Sequence, residues 1–237
     1  MNAKALNEDI NKKLLILADT EYKLFNDRII STNYTTLGIR MPALKAFAKE
    51  LASSPDVEIY LKNAEYTNYE HILLYGLVLA QLKKVPLCDL FNYLDPLILK
   101  FDNWAHVDTI ISALKIFKKH QQEVLSHFLP LKTHPGEFTK RVFVILLMDH
   151  FMDDAYIDVS LKHMTEIEQG QYYVDMAIAW AISYGLIKYY EKTLPLLEQR
   201  VFTKFVHNKA IQKARESYRI SPEIKDILNA LKIKSAD

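Results

Sequence analysis

Apolar residues recur three and four positions apart along nearly the whole chain, and convincing period-two alternation is scarce. This spacing predicts amphipathic helices from the first segment, MNAKALNEDINKKLLILADT, onward. Proline and glycine fall mainly between periodic segments, as in SSPDVE, KKVPLCDL and KTHPGEF, and mark connections there. Pro42 in LGIRMPALKAFAKEL suits the first turn of a helix, where an N–H has no intrahelical acceptor in any case. The expected fold class is all-α.

Comparing the chain with itself adds an architecture. Stretches beginning at Asn68, Asn103, Phe138 and Tyr173 lie 35 residues apart and read NYEHILLYGLVLAQLKK, NWAHVDTIISALKIFKK, FTKRVFVILLMDHFMDD and YVDMAIAWAISYGLIKY. The first two share Asn68/Asn103, the aromatic pair Tyr69/Trp104 and His71/His106, and farther along Leu82, Phe117, Met152 and Ile187 form one apolar column. A period of this length built from helix pairs predicts an α-solenoid of the HEAT type, with two-residue loop shifts between repeats. Such stacks have a concave groove suited to an extended partner: a peptide, a protein or a nucleic-acid duplex.

With 237 residues, half of them hydrophobic, the chain has ample material for a packed core, and one domain over residues 1–237 is expected. A net charge of +1 leaves no globally basic coat, so a nucleic-acid surface would have to be a local patch. Between residues 188 and 219 basic side chains exceed acidic ones by five, with Lys209, Lys213, Arg215 and Arg219 near the end of this patch. The single cysteine, Cys88, excludes an internal disulfide framework. With no signal-peptide pattern and no bilayer-length apolar run, the expectation is a soluble cytoplasmic protein. The five glycines are scattered, so phosphate-cradling nucleotide motifs are missing, and the eight histidines show no metal-ligand spacing. No cofactor or metal is expected.

One repeat column contains Leu73, Asp108, Phe143 and Ile178, and the carboxylate among apolar residues stands out because burying an unpaired charge is costly. Trp104 lies four residues before Asp108, on the same helical face. Arg141 continues the column of His71 and His106, and Trp180 continues that of Tyr75, Ile110 and Ile145. Solenoid geometry can therefore gather Trp104, Asp108, Arg141 and Trp180. Taken alone, these residues also fit plainer roles: an Asp–Arg bridge between repeats, two core tryptophans, and packing histidines.

At these residues the chain resembles the AlkD-type DNA alkylation repair family, HEAT-like DNA glycosylases that excise N3- and N7-alkylated purines. The likeness runs from about residue 24 onward through LGIRMPALKAFAKEL, NWAHVDTI, Arg141 in TKRVFVILL, YYVDMAIAWAISYGLIKYYEKTLP and the basic tail HNKAIQKARESYRISPEIK. The resemblance implies that Asp108 is the essential carboxylate, Trp104 and Trp180 its aromatic flank, and Arg141 a nearby contact. It also implies a duplex DNA partner bearing alkylated purines, and makes the basic tail a DNA grip, with Arg40 and Lys45 as weaker phosphate candidates. A monomer is expected. Two departures from the family pattern, Ala105 after the first tryptophan and the AISYG segment after the second, bear on that grip. The competing readings are a DNA-binding solenoid without chemistry and a protein-interaction scaffold.

Overall fold

Helices start where the chain supplies a side-chain acceptor for the first free N–H groups. In the computed structural model, which describes residues 2–82 and 85–234, Asn2, Asp19, Asn68, Asn103, Thr203 and Ser221 each cap a helix in this way. Pro42 sits in the first turn of its helix, as its sequence position predicts. Among the described residues the secondary structure is helical throughout, apart from one isolated bridge between Thr35 and Asn68. The protein is all-α, consistent with an α-solenoid of helical repeats. The residues divide at 116/117 into two compact units.

The first unit contains α1 (Ala3–Leu17), α2 (Thr20–Asn26), α3 (Met41–Ala52), α4 (Val57–Asn63), α5 (Tyr69–Gln81), α6 (Leu87–Ile98) and α7 (Trp104–Ala113). Helix α5 packs against both α3 and α7 and is buried from Tyr69 to Leu79, so it is the unit's axis. Gly76 permits the close approach of α7, because a Cβ there would lie 2.5 Å from Ile110 Cδ1. The connection KKVPLCDL ends in α6, which begins at Leu87; Lys83 and Lys84 lie outside the described residues.

The loop before α3 is held by a buried carboxylate. Glu70, 1% exposed, accepts hydrogen bonds from the backbone N–H of Leu37 (2.9 Å), Gly38 (2.8 Å) and Ile39 (3.3 Å). Gly38 adopts φ +76°, and a Cβ there would stand 2.5 Å from Lys23 Cβ, so glycine is required on both counts.

The second unit contains α8 (Gln121–Phe128), a 3₁₀ segment (Leu129–Thr133), α9 (Glu137–His150), α10 (Ile157–Glu166), α11 (Tyr172–Lys188), α12 (Tyr190–Glu198), α13 (Lys204–Glu216) and α14 (Pro222–Ala230). Alternate helices again form the spine, α9 against α11 and α11 against α13, while α10, α12 and α14 flank them. Buried residues run from Thr139 to Met148 in α9 without a break.

Two prolines depart from the expected pattern. Pro96 lies inside α6 and Pro195 inside α12, although proline mostly marks connections in this chain. Both sit late in flanking helices at positions that are exposed or partly so, where water can satisfy the carbonyl left without an N–H.

Candidate functional site

In the first unit, α7 presents Trp104 and Asp108 one turn apart on its half-exposed side, while Ala105, His106, Val107, Ile110 and Ile111 face the core. The start of this helix is fixed by a polar assembly. Asn103 Oδ1 accepts from the N–H of Ala105 (2.9 Å) and His106 (3.0 Å). That leaves Nδ2 of Asn103 to reach Asp102 Oδ1 at 2.8 Å and His106 Nδ1 at 2.9 Å. His106 Nε2 lies 3.2 Å from the carbonyl of Tyr69, and its ring stacks on Tyr69 with centroids 4.6 Å apart.

Asp102 ties the 30–34 loop to the same helix start. It accepts from the Thr32 hydroxyl at 2.8 Å and the Asn33 N–H at 2.6 Å. Burial pushes its carboxyl up, but contacts with His106, the Asn33 N–H, Thr32 and Asn103 outweigh this and hold it at about 2. Just before the tied loop, the Ile29 carbonyl accepts the indole N–H of Trp104 at 3.4 Å. Helix start and loop together thus orient Trp104, and the helix places Asp108 beside it.

His71 is the other member of the histidine pair. It is buried, with Nδ1 3.3 Å from the Thr67 hydroxyl, and burial lowers it to about 4. Both histidines therefore serve packing and hydrogen bonding.

In the second unit, α11 carries an exposed aromatic stripe at helical spacing. Tyr172, Trp180 and Tyr184 are 60%, 39% and 37% exposed, with half-buried Met176 between the first two. The turn before α11 is fixed by Asp175, which accepts from the Gly170 N–H at 3.0 Å. Burial raises the Asp175 carboxyl, the Gly170 N–H opposes that, and nearby Glu137 adds to the rise. Arg141 on α9 is 5% exposed and donates to the Tyr173 carbonyl, which holds α9 to the start of α11.

The 35-residue register does not carry through these helices. Leu73, Phe143 and Ile178 are fully buried whereas Asp108 is half-exposed; conversely Tyr75, Ile110 and Ile145 are buried whereas Trp180 is exposed. Asp108 is thus not a charge in an apolar core position. Matched by exposure, Asp108 corresponds to Trp180 and Trp104 to Met176, a spacing of 72 residues where two repeats of 35 would give 70. A two-residue slip turns a helix by about 200° and so exchanges its buried and exposed faces.

The basic candidates are dispersed. Arg40 forms an ion pair with Asp19 at 2.8 Å and lies over the Tyr22 ring. Lys45 is exposed on α3 and makes no ion pair among the described residues. On α13 Lys209 and Lys213 occupy one flank, while Arg215 lies on the other with its Nε buried. Arg219 is exposed after the helix ends.

Sequence reading missed two features. Lys140, next to Arg141, is almost fully buried and pairs with Glu168 at 3.6 Å. Phe205 and Lys232 join Lys209 in a surface groove, and an aromatic beside the lysine that opens α13 was the available signal.

Among the described residues no group of His, Cys, Asp or Glu could hold a metal, and no helix is long and apolar enough to cross a membrane. No curated protein and no solved structure matches the chain. Residues 10–216 match the family model described as DNA alkylation repair enzyme. A match over most of the chain, carried on helices that present Trp104, Asp108 and Trp180 at their surfaces, places this protein in the DNA alkylation repair enzyme family.

Proposed function

We propose that the protein is a DNA glycosylase that excises cationic N3- and N7-alkylated purines from duplex DNA. The observation that carries this reading is the Trp104–Asp108 pair, held on the half-exposed side of α7 by the Asn103–Asp102–His106 assembly. A purine alkylated at N3 or N7 already bears positive charge, so it departs without a general acid. Cleavage of its glycosidic bond leaves an oxocarbenium-like sugar, and what the protein must provide is negative charge beside it. Asp108 provides that charge and orients the attacking water. A preorganised group of this kind contributes about 3–4 kcal/mol to the transition state.

Trp104 and Trp180 act on the same substrate by offering electron-rich faces to the cationic nucleotide, worth roughly 0.5–2 kcal/mol each. This favours a charged, alkylated base over a neutral one and requires no deep base-shaped cavity. Arg141, nearly covered, braces α9 and α11, and Arg40 is engaged by Asp19. Phosphate contacts then fall to Lys45, Lys209, Lys213 and Arg219, with Arg215 a lesser one.

Duplex DNA containing 7-methylguanine tests the proposal. Wild-type protein is expected to release free base, while Asp108→Asn releases it at least about 100-fold more slowly and still binds the duplex. Trp104→Ala and Trp180→Ala should lower excision more than they lower affinity for undamaged duplex. Salt-sensitive binding with no release by the wild type would replace this reading with that of a binding-only relative; no DNA binding at all would point to a protein scaffold.

A further inference from the structure

Helix α13 forms one wall of a groove of ≈ 690 Å³ lined by Lys204, Phe205, Asn208, Lys209, Gln212 and Lys232. Three lining residues are lysines and none is acidic. The Phe205 ring is 40% exposed, and its neighbour Tyr172, with ring centroids 6.0 Å apart, is 60% exposed. Two adjoining aromatic rings at a basic surface are unusual in a chain whose other phenylalanines mostly fill the core.

The groove's far wall is held in place. His207 Nε2 lies 2.9 Å from the Leu231 carbonyl, and Asn208 exchanges two hydrogen bonds of 2.9 Å with the backbone of Ile233. Lys232 stands between these anchors, so its backbone is positioned opposite α13. On the α13 side, Lys209 Nζ donates to Gln212 Oε1 at 2.9 Å, which draws that ammonium along the groove. The nearest acid on the helix face, Glu216, accepts from Gln212 and lies outside the lining.

Lysines and an exposed aromatic lining one groove match a ligand that alternates flat π-faces with anionic links. Unpaired nucleotides have that construction: bases stack on rings with little sequence preference, and phosphates meet the lysines. A paired duplex buries its base faces and offers only phosphates to such a platform. The volume also lies in the range of sites that hold molecules of nucleotide size.

We propose that the α13 groove is a binding site for single-stranded DNA, with Phe205 as its stacking platform and Lys204, Lys209 and Lys232 as its phosphate contacts. It does not rest on the excision reading, since no bond is broken there and Asp108 takes no part, although Lys209 is shared with the proposed duplex contacts.

The test is fluorescence anisotropy with a labelled oligothymidylate of roughly twelve nucleotides, which contains no purine and therefore no substrate for excision. Wild-type protein is expected to bind it. Phe205→Leu, which keeps an apolar side chain but removes the ring, should weaken binding roughly five-fold or more, whereas Phe205→Tyr should retain it. Lys232→Gln should make the salt dependence shallower by about 0.7 in logarithmic slope. Affinity for a blunt undamaged duplex should stay within about two-fold of wild type in Phe205→Leu. The proposal is overturned by any of three results: no binding of the oligothymidylate, full binding by Phe205→Leu, or equal loss of single-strand and duplex binding in that variant.

Discussion

His71 and His106 show what a matched pair of residues in two repeats can and cannot reveal. Their shared sequence position, three residues after Asn68 and Asn103, reads correctly as a structural device: each asparagine caps a helix, and each histidine is buried in the first turn behind it. What the letters do not carry is the environment. Thr67 beside His71 is exposed, whereas His106 is surrounded by Asn103, Asp102 and Tyr69. The burial of His71 bears on stability. Burial lowers His71 to about 4, so the folded state prefers the neutral ring. The contribution is fully present above the unfolded value of about 6.5 and is lost as pH falls from there toward 4. Urea denaturation should therefore show the wild type losing roughly 2–3 kcal/mol more than His71→Gln between pH 7 and pH 4. Parallel pH profiles for the two proteins would mean that the buried ring is not what titrates. Asp102, held at about 2, acts in a lower window, because a depressed carboxyl stabilises above its unfolded value and loses that effect as pH falls from about 4 to 2. Asp108 was legible as an exception to its column, but not for the reason its column suggests: the position is half-exposed, and only the turn of α7 relative to its neighbours shows this.

At the scale of whole helices, the hydrophobic period located nearly every element, and the odd-numbered helices from α5 to α11 begin at Tyr69, Trp104, Glu137 and Tyr172, close to the expected repeat. Facing was harder to read. Helices α5 and α9 are buried on all sides through Ile72 to Leu79 and Val142 to Met148, and these uniformly apolar runs carry no stripe to fix a register. A two-residue slip is then invisible in the apolar columns, and it is the slip that moves Trp180 to the surface. The contact between α5 and α7 offers a test of how tightly this packing is set. Gly76→Ala raises helix propensity by about 1 kcal/mol, which favours the variant if nothing else matters. Its Cβ, however, would stand 2.5 Å from Ile110, a fully buried side chain without room to yield. Overpacking should dominate, with a net loss of about 1–2 kcal/mol in the urea midpoint analysis. Because the clash involves Ile110 Cδ1, Cγ1 and Cγ2 alike, adding Ile110→Ala, which removes all three atoms, should recover part of it, so that the double variant is more stable than the sum of the single effects. A stabilised Gly76→Ala protein would mean that α5 and α7 can separate without cost.

For the whole molecule the governing quantity is charge, and it is small: +1 over 237 residues. On the proposed function, a protein with so little net charge must hold DNA through individual cations, so the state of each one decides the salt dependence. Seven were legible as candidates from sequence, but side-chain pairing was not. Arg40 is taken up by Asp19, Arg141 is covered and bonded to Tyr173, and Arg215 has its Nε buried. Lys45, Lys209, Lys213 and Arg219 are left exposed or half-exposed. Each phosphate neutralised in a duplex contributes about −0.9 to the slope of log affinity against log salt. Four contacts predict a slope of about −4 for undamaged duplex, whereas all seven candidates would give about −6. Titrations between low and physiological salt distinguish the two. Arg219→Gln should flatten the slope by about one, while Arg40→Gln should leave it nearly unchanged because its guanidinium is already committed to a carboxylate. A slope near −6 that falls by one in Arg40→Gln would show that DNA displaces Asp19, and that the ion pair seen in the free protein is a resting arrangement of the binding surface.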